Sequence, residues 1–173
     1  MLMHRFECGP EVETGHDDLD SQHQTLFAML NEVLFSRELE ESPYQFKRAV
    51  TFLFSYLEYH FASEELAMLE QGYSSRRFHS AFHDHVRRES RAITATFARK
   101  ISAEETRAAI FFMFEDWVMY HVQNADRQLA AFLCEKTPAG QTPRLPGLLP
   151  LKQAGSLAPD FDEHLLAEAI GRA

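Results

Sequence analysis

The sequence predicts an all-α protein, an up-down-up-down four-helix bundle with a C-terminal extension. Three observations predict it. Four stretches carry apolar residues at helical spacing. Their connections are only a few residues long, so neighbours must pack antiparallel. Helix start and stop signals stand at the ends of these stretches. The chain has 173 residues, 45% of them apolar and fifteen of them Phe, which suits one domain with a core of long helices.

Residues 1–17 contain Gly9-Pro10 and Gly15, show no clear period and read as an irregular arm. The first helix is expected over about 18–36, capped by Asp18 or Asp20, with Leu19, His23, Leu26, Leu30 and Val33 at helical spacing. A charged loop, Arg37 to Glu41, should follow. The second helix has the best start signal: Ser42 as N-cap, Pro43 at the first helical position and Gln45 to complete a capping box. Its stripe is Phe46, Val50, Leu53, Leu57, His60 and Glu64, and Gly72 is its natural stop. The third helix starts near Ser74 or Ser75 and carries His79, His83, Val86, Ile93 and Phe97 on one face. The fourth begins with the capping box Ser102 to Glu105, follows Ile110, Phe114, Trp117, His121 and Ala125, and ends near Lys136.

The bundle is therefore assigned to residues 1–136. Five of the seven prolines and four of the seven glycines fall after it, so 137–173 reads as a Pro/Gly-rich linker and a short C-terminal helix. Asp160 caps that helix, and Phe161, Leu165 and Ala169 give it one apolar edge. A disordered tail, a strap that docks back on the bundle and a connector to a partner all remain open.

The formal charge of −9 argues against nucleic acid or an anionic membrane as partner. No apolar run reaches the roughly 20 residues a membrane helix needs. The N-terminus lacks the basic and apolar segments of a signal peptide. Cys8 and Cys134 lie far apart in no ligand spacing, as reduced thiols in a cytoplasmic protein would.

In such a bundle the start of the first helix, the end of the second, the start of the third and the end of the fourth meet at one end. His23, His60, Glu64, His79, His83, His121 and Asp126 all lie roughly 6–20 Å from that end at 1.5 Å rise per residue. Scattered core histidines would have no reason to agree in depth. Residues four apart share a helix face, so His60 and Glu64 can reach one centre, as can His79 and His83. His121 and Asp126 are five apart, about 140° around an ideal helix. Either Asp126 reaches sideways to bridge two ions or the helix is locally unwound. Five imidazoles and two carboxylates exceed the four ligands usual for zinc, and the mixed set suits iron. Two ions would share the carboxylates as bridges. His4, His16, His85 and His164 are read as non-ligands, Glu65 as facing out, and the pairs Arg76-Arg77 and Arg87-Arg88 as solvated.

Asp20-Ser-Gln-His23-Gln-Thr-Leu26-Phe27, His60-Phe-Ala-Ser-Glu64-Glu65, His79-Ser-Ala-Phe-His83 and Trp117-Val-Met-Tyr-His121-Val-Gln-Asn-Ala-Asp126 resemble the hemerythrin family, specifically the bacterial hemerythrins, over about residues 10–136. The resemblance implies a non-haem di-iron site that binds O2 reversibly, with peroxide and other small anions as further ligands. It implies that His79, His83 and His121 hold one iron, and that His23 and His60 hold the other, which keeps an open position. Glu64 and Asp126 bridge, with an oxo or hydroxo group as third bridge. Trp117, one turn before His121, resembles the residue that walls the oxygen pocket. Asn124 departs from an apolar pocket: it either donates to bound oxygen and admits water, or is an amide at the helix edge.

Three classes of function follow: an oxygen carrier, store or sensor; a di-iron oxidase or peroxidase; and the input module of a signalling system. The first is preferred, and no catalytic residue is assigned. Di-iron oxidases of four-helix bundles carry Glu-x-x-His pairs, and none occurs among the candidate ligands.

Overall fold

Ser42 opens the longest helix as the sequence predicts: its side chain accepts from the Gln45 N–H, and Pro43 takes the first helical position. The computed structural model describes residues 3–99 and 101–146, apart from the side chains of Ala98 and Trp117. In chain order the elements are α1 (Asp17–Phe35), α2 (Glu38–Glu41), α3 (Pro43–Glu70), α4 (Arg76–Thr96), a 3-10 turn (Phe97–Arg99), α5 (Ala103–Met113), α6 (Met119–His121) and α7 (Arg127–Lys136). Two π-helical turns, Phe114–Val118 and Val122–Asp126, join α5 to α6 and α6 to α7, so Ala103 to Lys136 is one continuous rod. No strand occurs among the described residues.

The protein is an all-helical bundle. α1 packs on α3, α3 on α4, α4 on α5, and α5 returns to α1. The main core lies between them, with Leu30, Val33, Val50, Leu53, Val86 and Ile110 among its buried residues. A smaller cluster of Ala67, Met68, Leu129 and Leu133 lies further toward the end of α3 and in α7. The candidate ligands lie at the margin of the main core, where Phe61 and Val122 of that core adjoin His60 and His121 in sequence.

The ends of the helices show where local chemistry agrees with the sequence reading and where it departs. Gly72, at φ 67°, terminates α3: Tyr73 N–H donates to the Met68 carbonyl and Gly72 N–H to the Leu69 carbonyl. That reversal carries the chain straight into α4. The Ser102–Glu105 capping box is formed on both sides. By contrast, neither Asp18 nor Asp20 caps α1; the N-cap is His16, without a side-chain cap bond. Asp20 instead reaches back to accept from Thr14 N–H, Thr14 O–H and Gly15 N–H, which ties the arm to the helix. The expected charged loop holds a short helix, α2.

The N-terminal arm is irregular but packed. Phe6, Val12 and His16 are buried, Phe6 exchanges two hydrogen bonds with the Asn31 side chain, and Arg127 donates to the Pro10 and Glu13 carbonyls. After Lys136 the described part of the extension also returns to the bundle. Leu145 packs on the smaller cluster, its N–H donates to Asp18, and Arg144 pairs with Asp18 at 2.8 Å. The helix expected after Asp160, and His164 with it, lie outside the described residues.

Candidate metal centre

His23 comes from α1, His60 and Glu64 from α3, His79 and His83 from α4, His121 from the end of α6, and Asp126 from the last position of the second π turn. All seven are buried. An i→i+5 turn widens the helix by one residue, so that residues five apart come onto one side. That is how Asp126 joins His121, and it shifts Ala125, expected on the apolar stripe, to a half-exposed position. The structure thus has the locally unwound helix, and Asp126 also reaches toward both groups of imidazoles.

The donors form two sets, Glu64 with His79, His83 and His121, and Glu64 with His23, His60 and Asp126. Within each set the ligand atoms lie within 4.8 Å of one another. Each carboxylate divides its oxygens between the sets. Glu64 Oε2 lies 3.3 Å from His79 Nε2 and 3.1 Å from His83 Nε2, while its Oε1 lies 3.8 Å from His60 Nε2. Asp126 Oδ1 lies 2.9 Å from His121 Nε2 and 3.3 Å from His79 Nε2, while its Oδ2 lies 3.2 Å from His23 Nε2.

Despite this crowding, both nitrogens of His23, Glu64 Oε1 and both oxygens of Asp126 are buried without a hydrogen-bond partner. Such atoms are costly unless something satisfies them. His83 Nε2 and His121 Nε2 also meet at 3.0 Å. Imidazoles and carboxylates that converge in two sets, with several of their atoms lacking a hydrogen-bond partner, fit metal cations.

The sequence of the Hemerythrin HHE cation binding domain family matches residues 14–133. The chain belongs to the hemerythrin family. No curated protein and no solved structure matches it.

Hemerythrin-like geometry here extends behind the ligands to residues the sequence reading missed. Gln22 Oε1 accepts from His60 Nδ1 at 2.9 Å and from the Ser63 hydroxyl at 3.1 Å. Glu65, expected to face out, accepts from His83 Nδ1 at 2.8 Å. Arg87, expected on a solvated face, is 15% exposed and pairs with Glu65 at 2.8 Å, with Glu58 at 2.8 Å and with Asp84 at 3.2 Å. One signal was available in the sequence: Arg87 is one helical turn beyond His83, on the ligand face. Aromatic rings close the sides, Phe61 stacking on His83 at 4.0 Å and Phe82 on His121 at 4.1 Å.

Burial pushes each imidazole toward its neutral form. At His60 burial prevails and takes the pKa to about 4, and it also lowers that of His121. At His79 the Asp126 and Glu64 carboxylates override burial and raise the pKa to about 10. Asp126 likewise raises His23 against burial, and Glu64 and Glu65 raise His83. Burial and mutual repulsion act to raise Glu64 and Asp126, yet the surrounding histidines hold both below the usual carboxylate range. Glu65, raised by burial and lowered more by His83 and Arg87, sits at about 2. In the metal-free centre, protons on imidazoles balance the carboxylates, and cation loading must displace those protons.

The remaining candidates fall elsewhere. Asn124 is exposed and its amide donates to the Tyr120 carbonyl. With Tyr73, Phe78, Phe82 and Tyr120 it lines an open cleft of about 250 Å³ that reaches His79 and His121. Trp117 lies in the first π turn, and its side chain is outside the described part. His4 pairs with Glu115 on the surface. His85 is half-buried, outside both ligand sets. His16 is buried with both ring nitrogens unpartnered, but belongs to neither set. Cys8 and Cys134 are free and exposed. No helix among the described residues is long and apolar enough to cross a membrane.

Proposed function

We propose that this chain binds O2 reversibly at a non-haem di-iron centre, as an oxygen carrier, store or sensor. One observation carries the reading: both carboxylates divide their oxygens between two groups of imidazoles, Glu64 with one toward His79 and His83 and the other toward His60, and Asp126 with one toward His79 and His121 and the other toward His23 and His60. His79, His83 and His121 would hold one iron, His23 and His60 the other, and Glu64 and Asp126 would be shared between them, with an oxo or hydroxo group as a further ligand. The helices that carry these residues run up-down-up-down. When bound in the reduced state, the iron pair supplies two electrons and a vacant position for a small ligand.

The protein's part is to orient and to exclude water. Gln22 and Glu65 fix the ring nitrogens of His60 and His83 that face inward. The Phe61 and Phe82 rings cover His83 and His121 and keep the local dielectric low. A cavity of about 10 Å³, the size of a single water, touches His23 beneath the arm. It lies on the His23 side of the centre. The two exposed thiols fit a reducing compartment, the cytoplasm.

A second reading, a di-iron oxidase or peroxidase, has the cleft over His79 and His121 in its favour, since it offers room for a substrate. The test is the absorption spectrum of the iron-loaded, reduced protein before air, after air and after the oxygen is swept out. Reversible binding gives bands that appear with air and vanish with argon, at about two irons per chain. A single zinc, no metal, or a one-way change overturns it, and turnover of added peroxide selects the enzyme.

A further inference from the structure

We propose that unlike partners behind the imidazoles make the two halves of the centre unequal, so that they fill in order: the three-histidine set first and tightly, the two-histidine set second and exchangeably. This rests on the two-ion reading given above. The contrast is between His83, whose Nδ1–H meets a carboxylate, Glu65, at 2.8 Å, and His60, whose Nδ1–H meets a neutral amide oxygen, Gln22, at 2.9 Å. The lengths are nearly equal, and the charge differs. A hydrogen bond from an imidazole to an ionised acceptor is roughly twice as strong as one to a neutral acceptor. It also moves electron density to the opposite nitrogen and makes it a stronger donor to a cation.

Glu65 is built to keep this role. Arg87 Nη1 and Nη2 hold its two oxygens at 2.8 and 3.3 Å. Glu58 grips Arg87 with two further bonds at 2.8 and 2.9 Å. The Arg87 guanidinium lies 5.6 Å over the Phe61 ring, and the same ring stacks on His83. The carboxylate therefore cannot swing away from the imidazole without breaking a cluster of α3 and α4 side chains. Gln22 has a lighter mooring, the Ser63 hydroxyl. Glu65 and Gln22 are positioning residues: each acts on a cation only through its histidine.

The test is titration of the metal-free full chain with Co2+, read by visible absorption and by the paramagnetically shifted imidazole ring protons. Wild type should take up two equivalents in two steps, the first shifting three imidazoles rather than two. Glu65→Gln, nearly the same shape without the charge, should weaken the first step by about 10–100-fold and bring the two steps together. Gln22→Glu should strengthen the second step. Unfolding of each metal-free variant checks that the fold is kept, and Arg87→Met should weaken the first step less than Glu65→Gln does. Two equivalents bound with a first step indifferent to Glu65→Gln would sink the inference and leave the two-ion reading intact. Uptake of one equivalent or none overturns both.

Discussion

His121 Nε2 and Asp126 Oδ1 lie 2.9 Å apart although five residues separate them on one helix. An α-helix would put them about 140° apart. The π turn Val122–Asp126 removes that offset, and it also places Asp126 Oδ2 against His23 of α1. His60 and Glu64, four apart on regular α3, reach the same centre without any distortion. The rod from Ala103 to Lys136 therefore accommodates an extra residue where it carries a shared carboxylate.

Because Asp126 serves both sets, its loss should be felt at both. Asp126→Ala should reduce metal content well below two ions per chain, and Glu64→Ala should do the same. His85→Ala, on a ring outside both sets, should keep the full complement. Metal analysis of the three purified variants decides. Equal loss from His85→Ala would show that the α4 ligand face is wrongly drawn.

His16 should make stability fall with acid. Burial lowers its pKa below the ordinary 6.5, against Asp18, Asp17 and Asp20, which act to raise it. The unfolded chain therefore takes the proton more readily. His16 contributes its full stability above about pH 6.5 and loses it as pH falls toward the folded-state pKa. His16→Asn cannot take up that proton. Between about pH 7.5 and 5.5 the urea midpoint of wild type should drop further than that of the variant, both metal-free. Parallel slopes would remove His16 from the acid response.

Arg107 should matter to the fold and not to the metal. Its Nε donates to the Val33 carbonyl at 2.9 Å and an Nη to the Ser36 carbonyl at 3.3 Å, at the C-terminal end of α1. Those carbonyls lack helical partners, and a cation there also meets the negative end of the helix. Arg107→Met keeps an apolar stem but loses these bonds and the guanidinium that lies 4.9 Å over the Phe46 ring, at a cost of about 1.5–3 kcal/mol for the bonds. Chemical denaturation should report that loss at unchanged metal content.

The helices were legible because their signals are local. Ser42-Pro43, Gly72 and Ser102…Glu105 act through backbone groups within a turn of themselves, and the apolar stripes need only a period. The convergence of the seven candidate ligands was legible because an imidazole on an apolar stripe is costly to bury alone, and a common depth on four helices brings these groups to one place. What escaped depends on contacts between elements. Asp18 and Asp20 have the chemistry of a cap, yet the chain offered them Leu145 N–H and Thr14 N–H as partners instead. Arg87 and Glu65 look solvated until α3 and α4 are side by side. The π turn leaves only an odd interval between His121 and Asp126, which the sequence shows without saying how it is closed.

Metal removal should loosen one layer of the bundle and spare another. Without a cation, the ring nitrogens of His23, Glu64 Oε1 and both oxygens of Asp126 are buried without hydrogen bonds, and each such group costs about 1–3 kcal/mol. That penalty is confined to the layer that holds them. Leu30 and Leu53 lie seven residues from His23 and His60, about 10 Å along their helices, deeper in the main core. A bound metal stabilises only what the folded site contributes, by about 2.7 kcal/mol at a hundredfold excess over its dissociation constant. Hydrogen exchange with and without chelator should therefore quicken at amides around His23, Glu64, His79 and Asp126, while those around Leu30, Leu53 and Ile110 keep their protection. Uniform quickening would mean that the bundle unfolds as a whole without metal, and that the larger core cannot hold four helices by itself.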